Sequence, residues 1–154
     1  MSDEKDYKLA TIGDVGVGKT SLLVTYTMNT FPSSDSIPTV FDEFDAMIFV
    51  DGKAVKLTLN DWFPEIQHDY FGKPVFLIGT KSELRSQGGE LVTTKQAEDL
   101  VKKLKFSGYF ECSAMTKDNL DNTFGQIARK MLSSNSKSTS DGGKSTSDKK
   151  CIIQ

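Results

Sequence analysis

Cysteine, histidine, long apolar runs and charge of one sign are what this sequence has least of. Two cysteines in 154 residues, Cys112 and Cys151, are too few for a disulfide framework, so a cytosolic context is expected. The one histidine, His68, lies in a polar-flanked stretch and reads as a surface residue; no Ser-His-Asp set and no zinc-ligand spacing occurs. Apolar stretches such as Val75 to Ile78 fall far short of the roughly 18 residues a spanning helix needs, and Met1 to Asp6 is acidic and polar. Neither a transmembrane helix nor a signal peptide is expected. The 19 Lys+Arg against 21 Asp+Glu leave a net charge of −2, which speaks against a surface built to neutralise nucleic-acid phosphates. What remains fits one domain of ordinary size, with 37% hydrophobic and 26% charged residues.

Composition changes after Leu132. From Ser133 to Lys150 no residue is apolar, and Lys-Ser-Thr-Ser-Asp occurs twice, at 137–141 and 144–148. Such a stretch buries too little surface to offset its ordering entropy, so 133–150 reads as a disordered linker between a domain of residues 1–132 and the terminal Cys151-Ile152-Ile153-Gln154.

Within the domain, strand and helix patterns alternate. Leu9 to Ile12 reads as a strand, and Lys19 to Asn29 as a helix with Leu22, Leu23 and Tyr26 inward. Phe44 to Val50 and Val55 to Leu59 alternate around Asp51-Gly52, the signal of a tight antiparallel hairpin. Pro74 to Gly79 is apolar on both faces, as a covered parallel strand is. Thr93 and Gln96 fit a capping box before a helix with Ala97, Leu100, Val101 and Leu104 inward. A strand from Gly108 to Ala114 and a helix facing inward with Leu120, Phe124, Ile127 and Met131 complete the set. The order predicts a three-layer α/β domain with a mostly parallel sheet and one antiparallel hairpin.

The chemistry is carried by Gly13-Asp14-Val15-Gly16-Val17-Gly18-Lys19-Thr20, a full G-x-x-x-x-G-K-[ST] between a strand and a helix. Its glycines let successive N–H groups converge on phosphate oxygens, the helix dipole adds to them, Lys19 reaches the outer phosphates and Thr20 offers a hydroxyl to Mg²⁺. A chance match in a chain of this length is about one in two hundred.

With that loop, Tyr26 to Pro32, Ile37-Pro38-Thr39-Val40-Phe41-Asp42, Val50 to Lys53, Gly79-Thr80-Lys81, Glu111 to Ala114 and Cys151 to Gln154 resemble the Rho/Rac branch of the Ras-like small GTPases. The resemblance implies a P-loop NTPase-like domain that binds GTP/GDP with Mg²⁺. It implies nucleotide contacts from 13–20 with Ser21, from Phe31 stacked on the guanine, and from Thr80, Lys81, Glu83, Ser113 and Ala114 around the base. Thr20 and Thr39 would hold the metal, and Ile37 to Asp42 would meet effector and regulatory proteins. Cys151 would be the prenylated residue of a terminal box, with Gln154 on the farnesyl side of the usual rule. One lipid, with Lys137, Lys144, Lys149 and Lys150 offset by Asp141 and Asp148, implies weak attachment at the cytoplasmic face of a membrane, in exchange with the cytosol.

Departures from the family pattern bear on activity. Between Leu59 and Trp62 the family has Asp-x-x-Gly, the water-positioning Gln, a mobile switch helix and a central strand, where this chain has only Asn60 and Asp61. An internal block is therefore missing and the domain is incomplete in the middle. Reading Asp61-Trp62-Phe63-Pro64 as Asp-x-x-Gly fails, because Pro64 has no N–H for a phosphate. Two outcomes are then open for Val75 to Ile78: to keep its family place and leave an unpaired gap beside the first strand, or to slide inward by about 4.8 Å and carry Thr80-Lys81 away from the base. Val15 stands where the family has Gly, and a β-branched side chain there obstructs the Gln and an arginine finger. Glu83 stands where the family has Asp, which weakens guanine preference. No catalytic residue is assigned. The chain reads as a membrane-tethered Rho-type GTP-binding switch with impaired hydrolysis, against two alternatives: a lipid-anchored binding module without turnover, or a truncated product of a fuller gene.

Overall fold

A computed structural model of the chain describes residues 5–33, 43–61, 73–135 and 149–153. Strand β1 (Lys5–Thr11) leads through the glycine loop into helix α1 (Lys19–Met28), which ends on Asn29 in the left-handed region. Strands β2 (Phe44–Val50) and β3 (Lys53–Asp61) form the expected antiparallel hairpin, with Asp51 and Gly52 both at positive φ as a primed two-residue turn demands. Strand β4 (Val75–Gly79), a 3-10 helix (Ser82–Gln87), helix α2 (Thr94–Leu104), strand β5 (Gly108–Glu111) and helix α3 (Leu120–Asn135) follow. The last element is strand β6, Lys149–Ile153.

The sheet has six strands in the order β2-β3-β1-β6-β4-β5, parallel except at the hairpin. Neither of the two expected outcomes for β4 is found. It keeps a place two positions from β1, and the position between them is filled by β6, parallel to both. Register runs from Tyr7↔Lys149 to Thr11↔Ile153 on one side, with Val75↔Ile152 and Phe76↔Ile153 on the other. Lys149 and Lys150 are thus strand residues, which corrects the reading of 133–150 as linker, and Cys151 lies in the sheet rather than on a free tail. At the other end of that segment α3 runs on to Asn135, three residues past the expected boundary.

Alternation along the strands makes two faces. Tyr7, Leu9, Leu57, Leu59 and Phe76 face α1 and α3, where Leu22, Leu23, Leu120, Phe124, Ile127 and Met131 complete the main core. Tyr26 and Phe124 stack with ring centroids 3.8 Å apart, locking the two helices together. Ala10 faces the other way, with Ile12 and Val75, and on that side Leu77 and Tyr109 share a groove with Ala97 and Leu100 of α2. The layers are therefore helix, sheet, helix.

The capping box of α2 is formed in both directions: Gln96 N donates to Thr93 Oγ1 at 3.2 Å, and Thr93 N donates to Gln96 Oε1 at 2.8 Å. Its inward face is less sealed than its periodicity predicts. Ala97 is buried, but Leu100 and Leu104 are 41% and 49% exposed, because Leu100 lines an open groove instead of a closed interface. Strand β5 ends at Glu111, not Ala114; Cys112 still pairs with the chain after β4, and the turn over Ala114 to Thr116 then forms a loop of the site. Cys112 itself is buried as expected. Trp62 and His68 lie outside the described residues, and no helix among the described residues is long and apolar enough to cross a membrane.

Candidate functional site

Parallel strands deliver their following loops to one edge of a sheet, and here three such loops meet at the carboxyl ends of β1, β4 and β5. The loop after β1 is shaped by glycine: Gly16 (φ 81°) and Gly18 (φ 97°) take conformations that strain any other residue. It opens directly into α1, whose first turn carries no acidic residue to offset the positive end of the helix dipole. Lys19 Nζ folds back to donate to Gly13 O and Asp14 O, each at 2.8 Å, which holds the ammonium over the loop.

The loop after β4 is tied to the first. Thr80 Oγ1 donates to Val17 O at 2.5 Å, and Lys81 Nζ to Gly16 O at 2.7 Å. Lys81 has φ 59°, a left-handed turn that swings its side chain back over the glycines and starts the 3-10 helix. Gly79 at the strand end lets β5 come close: a Cβ there would meet the Tyr109 hydroxyl at 2.8 Å and force that side chain to shift. The inward slide of β4 would have broken these contacts, and β6 is what makes it unnecessary.

The loop after β5 packs beside them. Cys112 N donates to Gly79 O at 2.9 Å and Ser82 N to Cys112 O at 3.2 Å, continuing the strand pairing into the loops. Ser113, fully buried, accepts from Thr116 N through its Oγ at 3.0 Å and donates its N–H to Asp118 O at 3.1 Å. Lys117 Nζ donates to Asn29 O at 2.5 Å and to Asn29 Oδ1 at 2.9 Å, fastening this loop to the end of α1.

Between the loops lies a cavity of about 270 Å³ lined by Gly18, Ser21, Phe31, Thr80, Lys81, Glu83, Leu84, Ala114 and Met115. That is close to the lower end of the roughly 300–1,000 Å³ usual for small-molecule sites, and its walls are mostly apolar, as a slot for a flat heterocycle should be. Glu83 is among the lining residues, and its Oε2 is buried with no hydrogen-bond partner. A buried carboxylate oxygen left unpaired costs on the order of 1–3 kcal/mol, a cost that an N–H donor brought within reach of it would relieve. Phe31 lines one wall while still 40% exposed, placed to cover a ligand plane.

The 3-10 helix carrying Glu83 is anchored from behind. The Arg85 guanidinium makes a bidentate pair with Glu111 and also donates to Val92 O at 3.1 Å. Glu111 in turn accepts from the Tyr109 hydroxyl at 2.7 Å. The Arg85 bond holds the Glu111 carboxyl below its usual range, and burial, then Glu111, pushes the Tyr109 phenol up to about 12.

Most expected site residues are therefore brought together: Gly13 to Ser21, Phe31, Thr80, Lys81, Glu83 and Ala114. Ser113 is fully buried behind the loop, its Oγ accepting from Thr116 N, and is not among the residues lining the cavity. Leu84 and Met115 do line it and carry no motif signal; only their adjacency to Glu83 and Ala114 pointed to them. Val15 is fully exposed at the tip of the first loop, and Asp14 to Val17 border the α2 groove on its far side. Thr39 and the whole of Ile37 to Asp42 lie outside the described residues. Among the described residues no cluster of three or more His, Cys, Asp or Glu could hold a metal by itself. Any ion here would therefore depend on Thr20 and on oxygens the ligand brings, as Mg²⁺ sites on phosphates do.

Compared with known protein families, the chain matches the model described as Ras family, over residues 8–61 and again over 58–133. The two matched segments meet at the end of β3, the position of Asn60 and Asp61.

Proposed function

Because the chain belongs to the Ras family and is thereby a small GTP-binding protein, we propose that it is a Rho-type, lipid-tethered member that holds guanine nucleotide and turns it over poorly. One observation carries the reading. Three loops separated in sequence close on a single cavity, and its lining includes Glu83, at the position where the family reads the guanine edge.

The residues fit the ligand. The N–H groups of 13–18 and the start of α1 suit phosphate oxygens. Lys19, now held by two carbonyls, gains stronger charge-assisted bonds by turning to the phosphates. Bound Mg²⁺ supplies charge neutralisation between phosphate oxygens, with the Thr20 hydroxyl, and Thr39 from the effector segment, as the chain's contributions. Phe31 and the Lys81 stem sandwich the base, while Glu83 accepts from its N–H edge.

Poor turnover follows from what the chain lacks. No Gln follows Asn60-Asp61 to orient an attacking water, Pro64 offers no N–H, and the exposed Val15 crowds the approach of an arginine finger. The Ile37 to Asp42 segment would then present one lasting effector surface. A farnesylated Cys151 would hold the protein weakly at the cytoplasmic face of a membrane and in the cytosol.

The test is a thermal melt with excess Mg²⁺. At 100-fold over its dissociation constant, GDP should stabilise the fold by about 2.7 kcal/mol, a shift of several degrees that ADP does not produce. A melt indifferent to GDP would remove the nucleotide reading and leave a scaffold.

A further inference from the structure

Every strand but one in this sheet is followed or preceded by motifs that announce it; Lys149–Ile153 is not, and it occupies the central slot between β1 and β4. We propose that this slot is a strand-binding site for the chain's own 149–153 segment, and that the segment cannot be held there and offered to a modifying enzyme at the same time. The modification concerned is lipidation of Cys151, and that half of the inference rests on the prenylation reading above.

The slot needs an occupant. With β6 in place, Leu9 and Ala10 of β1 are fully buried. Without β6, β1 and β4 would face each other with unpaired N–H and C=O groups, which native interiors avoid. The occupant must run parallel to β1 and start at the amino edge of the sheet. Helix α3 delivers the chain to that edge: near its end, Arg129 Nε pairs with Asp51 Oδ1 of the β2-β3 turn at 3.2 Å, and Lys130 Nζ donates to Ser107 O, just before β5, at 2.8 Å. Helices α1 and α3 lie on one face, and the β1-α1-β3 and β5-α3-β6 connections step along the sheet in the same direction. The two crossovers therefore share one hand, as the handedness rule for parallel strands requires. The Cys-Ile-Ile run supplies the β-branched residues a covered central strand favours.

The hold is partial, which makes it releasable. Five residues are in register with β1 and only two with β4. A short terminal strand of this kind opens locally at a free energy below that of global unfolding. Prenylation needs the opened form. The Cys151 sulfur forms a thioether bond to the prenyl carbon as that carbon's bond to the diphosphate oxygen breaks. The diphosphate leaves with the electron pair and the thiol proton goes to solvent. An enzyme that grips residues 151–154 as an extended peptide competes with β1 for the same backbone groups.

The experiment uses the full chain and Lys150→Pro, which sets a proline opposite Lys8 within the strand while leaving Cys151 to Gln154 intact. Amide hydrogen exchange of the terminal peptide reads the strand. Exchange should be at least about a hundredfold slower in the native chain than in Lys150→Pro. Incubation with a protein farnesyltransferase and farnesyl diphosphate reads the competition, with transfer to Lys150→Pro at least about tenfold faster, since only the open fraction reacts. Equal exchange in the two chains overturns the slot. Protected amides with equal farnesylation overturn the competition. Protected amides with no farnesylation of either chain, or of the free terminal peptide, would remove the lipid reading alone.

Discussion

Replacing Glu83 by Gln keeps the shape of the side chain and removes its charge, so it separates the cost of an orphaned carboxylate from its use. Oε2 is buried without a partner while the residue as a whole is only half-buried. Relief of that oxygen belongs at the low end of the 1–3 kcal/mol range, so the nucleotide-free protein should be unchanged or more stable by up to about 1 kcal/mol. For a domain of this size that is at most about 2 to 4 °C in Tm. Nucleotide should move the other way. A carboxylate accepting from an N–H donor contributes about 1.5–3 kcal/mol, so GDP binding should weaken about ten- to a hundredfold. Inosine diphosphate, which lacks the exocyclic amine, closes a double-mutant cycle. In the wild type it should bind at least about tenfold more weakly than GDP, and in Glu83→Gln that gap should shrink to a few-fold. Titration calorimetry on the four combinations measures the coupling. If GDP binds both proteins within twofold, or if the gap between GDP and inosine diphosphate is the same in both, Glu83 does not read the base.

Other perturbations have equally definite outcomes. Val15→Gly opens the loop tip without touching the core, and single-turnover GTP hydrolysis should rise by less than about twofold, because no Gln stands ready to use the space; a large rise would show that Val15 alone blocked turnover. Thr93→Ala removes the α2 cap and should cost about 0.5–2 kcal/mol in denaturant melts while leaving the GDP-induced shift intact. Burial holds the Cys112 thiol up at about 11, above its unfolded value of 9.0. The proton is thus bound more tightly in the folded state, so this contribution to stability is complete below pH 9 and is lost as pH rises through 11. Melts across that window should show the loss, and Cys112→Ala should flatten it. Phe124→Ala removes the fully buried ring stacked on the partly buried Tyr26 and should cost about 3–5 kcal/mol, enough to abolish a cooperative transition in a marginal domain.

The sequence by itself determined the local elements and the phosphate loop. Period and caps announce α1, the β2-β3 hairpin, the capped start of α2 and the inward stripe of α3, because each depends on residues a few positions apart. The glycines of 13–18 mark a phosphate loop for the same reason, since positive φ is a property of single residues. Burial that depends on what packs from elsewhere is not legible locally: Ser113 is held behind its loop by Thr116 and Asp118, and Leu100 borders a groove that its own helix cannot close. The largest difference is β6. Cys-Ile-Ile is too short a run to announce a strand despite its β-branched residues, and the block read as missing argued for a gap or a displaced β4. Only the tertiary structure brings Leu9 and Cys151, from opposite ends of the chain, into register. The reason is that backbone groups on a buried strand flank must be paired by some segment, and which segment can reach them is a property of the whole fold.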